Sequence, residues 1–411
     1  MGNTIGWKKE GKEEIRSFMD EAADALDQDK AGIHDLSLAK LRMEVQKRLE
    51  GQVLDRLFVA SLAEEEFGAG DEYVFDESKV DEYRDILWKD YEDACTKLQE
   101  WEADEQENDG KVVSRCEFYK LKKAGIARLL DYYKWWPKEE VHKHDVSDLP
   151  DDQEDEFGFC QNKSSADVLP AMRYHHTKNV IRSYYARNNN VLQNEQFSIL
   201  PFKSTISNAG RGVFIDGYAP AGTLLAFFPG KVWPKDFLMT ATLQVQRNLE
   251  SDPRHQLSMR YDDILIDSRR SPYTVYDNMW ALAHVVNHPP APPSSEDESD
   301  SSIKQSRNSP NCVTTPIDFT KSMLKQHQDR DLTRYIPNEY EVEPKSWAKN
   351  ALDTNDVIMN GMGLLALRDV QDEELFYDYR LSPASGASIY PEWYHVWNED
   401  AAINRWSSEE K

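Results

Sequence analysis

The stretch "VVNHPPAPPSSEDESDSSIKQSRNSPNCVTT", Val285 to Thr315, reads as one motif with foreign material pushed through its middle. Apolar residues carrying an asparagine stand on either side, Asn287 before and Asn311 after. Between them lie Pro, Ser, Asp and Glu, with almost nothing able to pack. Such a composition does not bury enough apolar surface to offset the entropy of ordering it. Residues 289–309 are therefore expected to form a disordered, solvated acidic insertion, and the two flanks to act together.

The 411 residues have room for two domains, or three small ones, on a scale of roughly 100 to 200 residues each. A 39% hydrophobic content with 11 Trp, 19 Tyr and 15 Phe suits a folded core. A net charge of -25 argues against direct contact with nucleic acid, because phosphate binding needs clustered Lys and Arg. A basic protein or tail would be attracted instead, although an acidic surface that serves only solubility is an equal alternative. Cys95, Cys116, Cys160 and Cys312 form no CxxC pair. Neither a zinc cluster nor a disulfide framework is expected, and a reducing, intracellular location fits, in nucleus or cytoplasm. No apolar run approaches the roughly 20 residues of a membrane span, so no membrane partner is expected. The opening "MGNTIGWKKEGKEE" has no apolar signal core, and Gly6 stands where a myristoylation signal prefers Ser or Thr.

The first third is helical by period. Leu38, Leu41, Val45, Leu49, Val53 and Leu57 recur at three- and four-residue steps, as do Val80, Tyr83, Leu87, Tyr91, Ala94, Leu98 and Trp101. A third run covers 114–134 and is expected to stop at Pro137. These stripes predict helix-packing faces or a partner groove. The expected organisation is a helical N-terminal region over 1–145, an acidic linker over 146–165, and a further domain over 166–400. A helix over 168–187 would carry His175 and His176, but neighbours on a helix diverge by about 100° and share a metal poorly. No metal site is expected there. After Asn188, Asn189 and Asn190 the texture changes to short apolar runs: "QFSILPF", "RGVFIDGY", "GTLLAFFPG", "DDILIDS", "MGLLALRDV" and "EELFYDYR". These predict short strands.

In "NAGRGVFIDGYAPAGTLLAFFPGKV", Gly210 and Gly212 would let the backbone turn tightly and approach a ligand. Alone this is a weak signal. The strand–helix context of a dinucleotide or phosphate loop is missing, so a Rossmann site or P-loop is disfavoured, and a hairpin corner needing two glycines is the plain alternative.

Three motifs in order, however, resemble those of a SET domain, over residues 195–381. "GRGVF" with "APAGTLLAFFPG" is similar to the family's opening; "HVVNHPP" and "SPNCVT" look like two halves of its Asn-His segment; "ALRDVQDEELFYDYR" is similar to its last motif. Within the family, "FFPGKVW", "DDILIDS" and "LTRYIPN" are most similar to the SET domain-containing protein 9 group. Two departures stand out. Pro289 and Pro290 follow the Asn-His pair where Ser-Cys is commoner, and no cysteine-rich zinc module flanks the domain. "YPEWYHVW" offers Trp393, Tyr394 and Trp397 as an aromatic lid in its place, or as packing for a terminal helix.

The resemblance implies an α+β fold of small curved antiparallel sheets, with the last motif threaded through a loop formed by the Asn-His region. It implies S-adenosyl-L-methionine as cofactor and protein-lysine N-methylation as the activity. Cofactor contacts would come from Gly210, from the backbone of Arg211 and Gly212, from Asn287 and His288, and from Trp393. Tyr379 would set its hydroxyl beside the amine and sulfonium, with Tyr377 in the channel wall and Asp378 bracing the fold. In-line methyl transfer needs alignment and oriented polar oxygens more than a strong base. Two rival readings share these motifs: a catalytically silent SET fold that binds a basic partner through the N-terminal helices, and methylation of an acceptor other than lysine.

Overall fold

Helices whose apolar stripes face strands, and strands gathered into three small sheets, make up the computed structural model. It describes residues 35–67, 80–104, 110–132, 134–135, 178, 180–181, 184, 197–233, 257–260, 264–268, 278–291, 309–325, 330–341, 356–380 and 394–396. Helices α1 (Asp35–Phe67), α2 (Val80–Asp104) and α3 (Gly110–Tyr132) match the three periodic runs. Helix α3 ends before Pro137 acts. Lys134 adopts φ 56, its N–H donates to Asp131 O at 3.0 Å, and Trp135 N–H donates to Leu130 O at 2.8 Å. That is a Schellman stop, built here without glycine. Of the expected helix over 168–187 only positions 178, 180, 181 and 184 are described, all helical. His175, His176, the 146–165 stretch and the heart of the insertion, 292–308, lie outside the described residues.

The strands are β1 (Phe197–Lys203), β2 (Arg211–Ala219), β3 (Leu224–Phe227), β4 (Gly230–Trp233), β5 (Leu257–Met259), β6 (Leu265–Asp267), β7 (Cys312–Thr320), β8 (Asn338–Tyr340), β9 (Val357–Ala366) and β10 (Val370–Gln371). A short helix α4 (Lys321–Leu324) follows β7. The sheet orders are β1-β2-β10, β3-β9-β7 and β5-β6-β4-β8. Pairing is antiparallel throughout these sheets except between β4 and β8, which run parallel. The architecture is α+β. One expected strand is absent as such: "EELFYDYR" makes only isolated bridges, through Glu374, Phe376 and Tyr377.

The helices are spent on the strands. Val53, Leu54, Leu57 and Ala60 of α1 share a core with Leu224 to Phe228. Gln52 acts as a surrogate strand residue, donating to Gly222 O at 3.2 Å and accepting from Leu224 N at 2.7 Å. Phe118 of α3 packs against Phe202 and Phe214, while Leu87 and Tyr91 of α2 meet Ile126 and Leu130 of α3. Burial of a large side chain contributes about 1.5–3 kcal/mol, so these stripes hold the helices to the sheets.

A buried ionic cluster reinforces the junction. Lys122 Nζ lies 3.1 Å from Asp216 Oδ1, Lys178 Nζ lies 2.5 Å from Asp216 Oδ2, and Lys178 lies 3.7 Å from Asp90. Burial alone would raise the Asp216 carboxyl, but Lys122 and Lys178 more than offset it and hold it well below the usual carboxylate range. Tyr119 donates to Asp372 at 2.9 Å, and Asp372 accepts from Gly217 N at 2.8 Å. Burial, with the nearby Asp216 charge, raises Asp372. Helix α3 thus grips β2 and the turn after β10 together.

Candidate functional site

The two flanks of the insertion meet on one segment. Tyr377 N–H donates to Asn287 O at 3.1 Å, while Asn311 N–H and Cys312 N–H both donate to Phe376 O, at 3.0 and 2.9 Å. Asn311 also gives Nδ2 to Glu374 O at 2.8 Å and takes Phe376 N–H on Oδ1 at 2.7 Å. Backbone groups buried without water need such partners. Residues 374–377 therefore lie between Asn287 on one side and Asn311–Cys312 on the other, with parallel bridges to both.

The start of β2 joins the same cluster. Asn287 Nδ2 donates to Arg211 O at 2.8 Å and to Glu374 Oε1 at 3.3 Å. The two glycines serve different needs. Gly210 adopts φ 71 with nothing near its missing Cβ, so its conformation is what requires glycine. Gly212 has no positive φ; a Cβ there would fall 1.9 Å from Glu374 Oε1 and 3.1 Å from Asn287 Nδ2. The place a side chain would take at Gly212 is filled by the Glu374 carboxylate.

Glu374 is the residue that sequence reasoning missed. It is buried, with Oε1 accepting from Ser204 Oγ at 2.7 Å and Oε2 accepting from Thr205 N at 2.7 Å and Thr205 Oγ1 at 2.5 Å. Burial raises its carboxyl against the lowering effect of these donors. Nothing in the acidic run "QDEEL" distinguishes it.

Tyr379 OH donates to Val286 O at 3.0 Å, and its N–H donates to His288 Nδ1 at 3.3 Å. Its ring lies 4.9 Å from that of Tyr377, which meets Phe228 edge-on at 5.8 Å. Burial pushes the Tyr379 hydroxyl up to about 12 and Tyr377 well above its ordinary value. Both phenols are neutral at pH 7, and neither is a ready base.

His288 accepts on Nδ1, so its proton sits on Nε2, which donates to His395 O at 2.9 Å. Burial lowers it and so favours the neutral ring, against the opposing pull of Asp378 3.7 Å away. Tyr394 stacks on that ring at 4.4 Å and 25°. Its hydroxyl donates to Asp378 Oδ1 at 3.0 Å, an atom that also accepts from Arg380 N at 2.9 Å. Of the aromatic trio, Trp393 and Trp397 lie outside the described residues; Tyr394 covers His288.

The structure therefore gathers Arg211, Gly212, Asn287, His288, Tyr377 and Tyr379, with Gly210 at the turn into β2. No group of three or more His, Cys, Asp or Glu suited to a metal occurs among the described residues. No helix among them is long and apolar enough to cross a membrane. No known family profile and no curated protein matches the chain. Among solved structures it is similar to CpSET8 from Cryptosporidium, at 13% identity over 64% of this chain and 96% of that one, with a TM-score of 0.24.

Proposed function

We propose that the chain is a SET-type, S-adenosyl-L-methionine-dependent protein-lysine N-methyltransferase acting on a basic protein segment, within the nucleus or cytoplasm. The observation that carries this reading is that residues of three motifs, up to 168 positions apart between Arg211 and Tyr379, meet around Asn287: its amide on Arg211, its carbonyl on Tyr377, and its neighbour Val286 under the Tyr379 hydroxyl. Threading of the last motif is supported by the parallel bridges that flank 374–377 on both sides. The SET domain-containing protein 9 subgroup rests on sequence stretches alone.

The donor set fits the cofactor. Both Nδ2 hydrogens of Asn287 are committed, to Arg211 O and to the buried Glu374 carboxylate, which leaves Oδ1 as the acceptor a ligand would meet. A ligand with a cationic end suits that corner. Bound there, the cofactor would supply an electrophilic methyl group on sulfur. Asn287 would hold it with the backbone near Arg211 and Gly212, and the stack of Tyr394 on His288 would keep water from one side. The Tyr379 hydroxyl, fixed by donation of its proton to Val286 O, would set its oxygen beside the transfer centre. Oriented oxygens of this kind stabilise developing charge without reorganising. A neutral tyrosine suits that role, and the amine would lose its proton to solvent.

The rival reading as a binding module assigned the docking face to the N-terminal helices. Their buried stripes, among the described residues, are packed against strands or one another, and Leu367, the one large exposed hydrophobic among the described residues, is not on a helix. Incubation with methyl-labelled cofactor and lysine-bearing basic peptides tests the proposal: label on lysine supports it, and label on another residue type moves it to a different acceptor.

A further inference from the structure

We infer that Glu374 is a positioning residue that fixes the amide of Asn287 so that its carbonyl oxygen receives the ammonium group of the ligand; this rests on the cofactor reading above. The orientation of Asn287 follows from its partners. Arg211 O is an acceptor and nothing else, so the atom 2.8 Å from it must be the amide nitrogen. The Glu374 side of Asn287 is fixed by the donors behind the carboxylate. Thr205 N–H donates to Oε2 without alternative. Ser204 Oγ already accepts from Ile206 N–H at 3.1 Å, which leaves its own proton for Oε1 at 2.7 Å. With both oxygens receiving, the carboxylate takes the second Nδ2 hydrogen of Asn287 at 3.3 Å. The amide is held at both hydrogens and Oδ1 faces the other way.

Charge points to the class of ligand. The partners of Glu374 among the described residues, Ser204, Thr205 and Asn287, are all neutral. A carboxylate in low dielectric without a cationic partner favours a positive group close by. Gly212 is what allows the arrangement, since a Cβ there would occupy the position of Oε1. S-Adenosylhomocysteine carries an α-ammonium group, whereas 5′-methylthioadenosine keeps the nucleoside and thioether and lacks the amino-acid end. The pair therefore reads the effect of Glu374 on the ammonium separately from its effect on the pocket as a whole.

The test is calorimetry of both ligands on the full chain. Glu374→Gln is expected to weaken S-adenosylhomocysteine about tenfold, the scale of one charge-assisted hydrogen bond, and to leave 5′-methylthioadenosine within about twofold. Ser204→Ala removes one donor from Oε1 with little change of volume and is expected to show the same selectivity at a smaller size, about threefold, should Glu374→Gln fold poorly. Equal losses for both ligands in Ser204→Ala, or in a folded Glu374→Gln, would mean that Glu374 merely supports the pocket and would overturn the inference, as would no loss for either. If the wild-type chain binds neither ligand, the cofactor reading itself fails and the inference falls with it.

Discussion

Tyr377 N–H donates to Asn287 O at 3.1 Å, a bond that closes a gap of ninety positions in sequence and fixes the last motif against the first half of the interrupted segment. Two residues on, Tyr379 returns its hydroxyl to Val286 O at 3.0 Å. The candidate methyl-transfer oxygen and the candidate cofactor ligand are thus attached to adjoining positions of one backbone turn, and displacement of either displaces both.

Tyr379→Phe removes one hydroxyl and almost no volume. Binding of S-adenosylhomocysteine is expected to stay within about twofold, while single-turnover transfer falls by about 100-fold, as loss of an oriented polar group at a transition state typically does. Calorimetry, with rapid-quench kinetics on an unmethylated peptide that the wild-type chain labels, reads both. Full-rate transfer in the variant would move the role to Tyr377.

Gly210 and Gly212 are expected to respond differently to alanine. At Gly210 the cost is conformational, about 1 kcal/mol for a side chain at φ 71. At Gly212 the new Cβ displaces the Glu374 carboxylate and with it Asn287, so S-adenosylhomocysteine binding should fall at least tenfold, as for a lost charge-assisted hydrogen bond. Denaturant titration beside ligand binding separates the two; equal behaviour would remove the distinction.

How far the site could be read in advance depended on what each residue does locally. Asn287, Tyr377 and Tyr379 stand in motifs whose order is visible along the chain, and the structure brings them together. Glu374 is one acid among several, and its hydrogen-bond donors Ser204 and Thr205 lie about 170 positions earlier in the chain, where no local pattern announces them. Lys122 reads as a solvated charge on a helix until Asp216 is found beneath it. The strand expected at "EELFYDYR" failed for a related reason: alternation marks an extended segment, but here its neighbours are three chain pieces, at Phe214, Asn287 and Cys312, that each supply only an isolated bridge. The stop at Lys134 escaped because a left-handed lysine leaves no compositional mark, whereas Pro137 does.

Lys122→Met leaves Asp216 with one of its two buried cations. Breaking such a pair costs about 3–5 kcal/mol, and the low end is expected because Lys178 stays. Adding Asp90→Asn, which removes the competing acid on Lys178, should recover part of the loss. Urea unfolding checks both variants; a loss under about 1 kcal/mol for Lys122→Met would show the cluster to be solvated.

Acid should weaken the fold through His284 and His288. Burial lowers His284 to about 4 from 6.5 and lowers His288 too. A histidine with a depressed folded pKa contributes stability above its unfolded value, and that contribution is lost as pH falls towards the folded one, because the unfolded chain binds the proton first. Between pH 6.5 and 5, His284 alone should cost about 2 kcal/mol. Comparing the pH 7 to pH 5 change in unfolding free energy for wild type and His284→Leu isolates it, and equal changes would show that His284 titrates alike in the folded and unfolded chain.

The most direct measurement of the central claim is transfer of label from methyl-labelled S-adenosyl-L-methionine to a basic peptide array by the wild-type chain, with Asn287→Ala and Tyr379→Phe in parallel. The account predicts label on lysine-bearing peptides, its loss when those lysines are replaced by arginine, and its loss in both variants, with cofactor affinity reduced only in Asn287→Ala. Cofactor-independent capture of the same peptides, with no label on any of them and no difference between wild type and the variants, would contradict it.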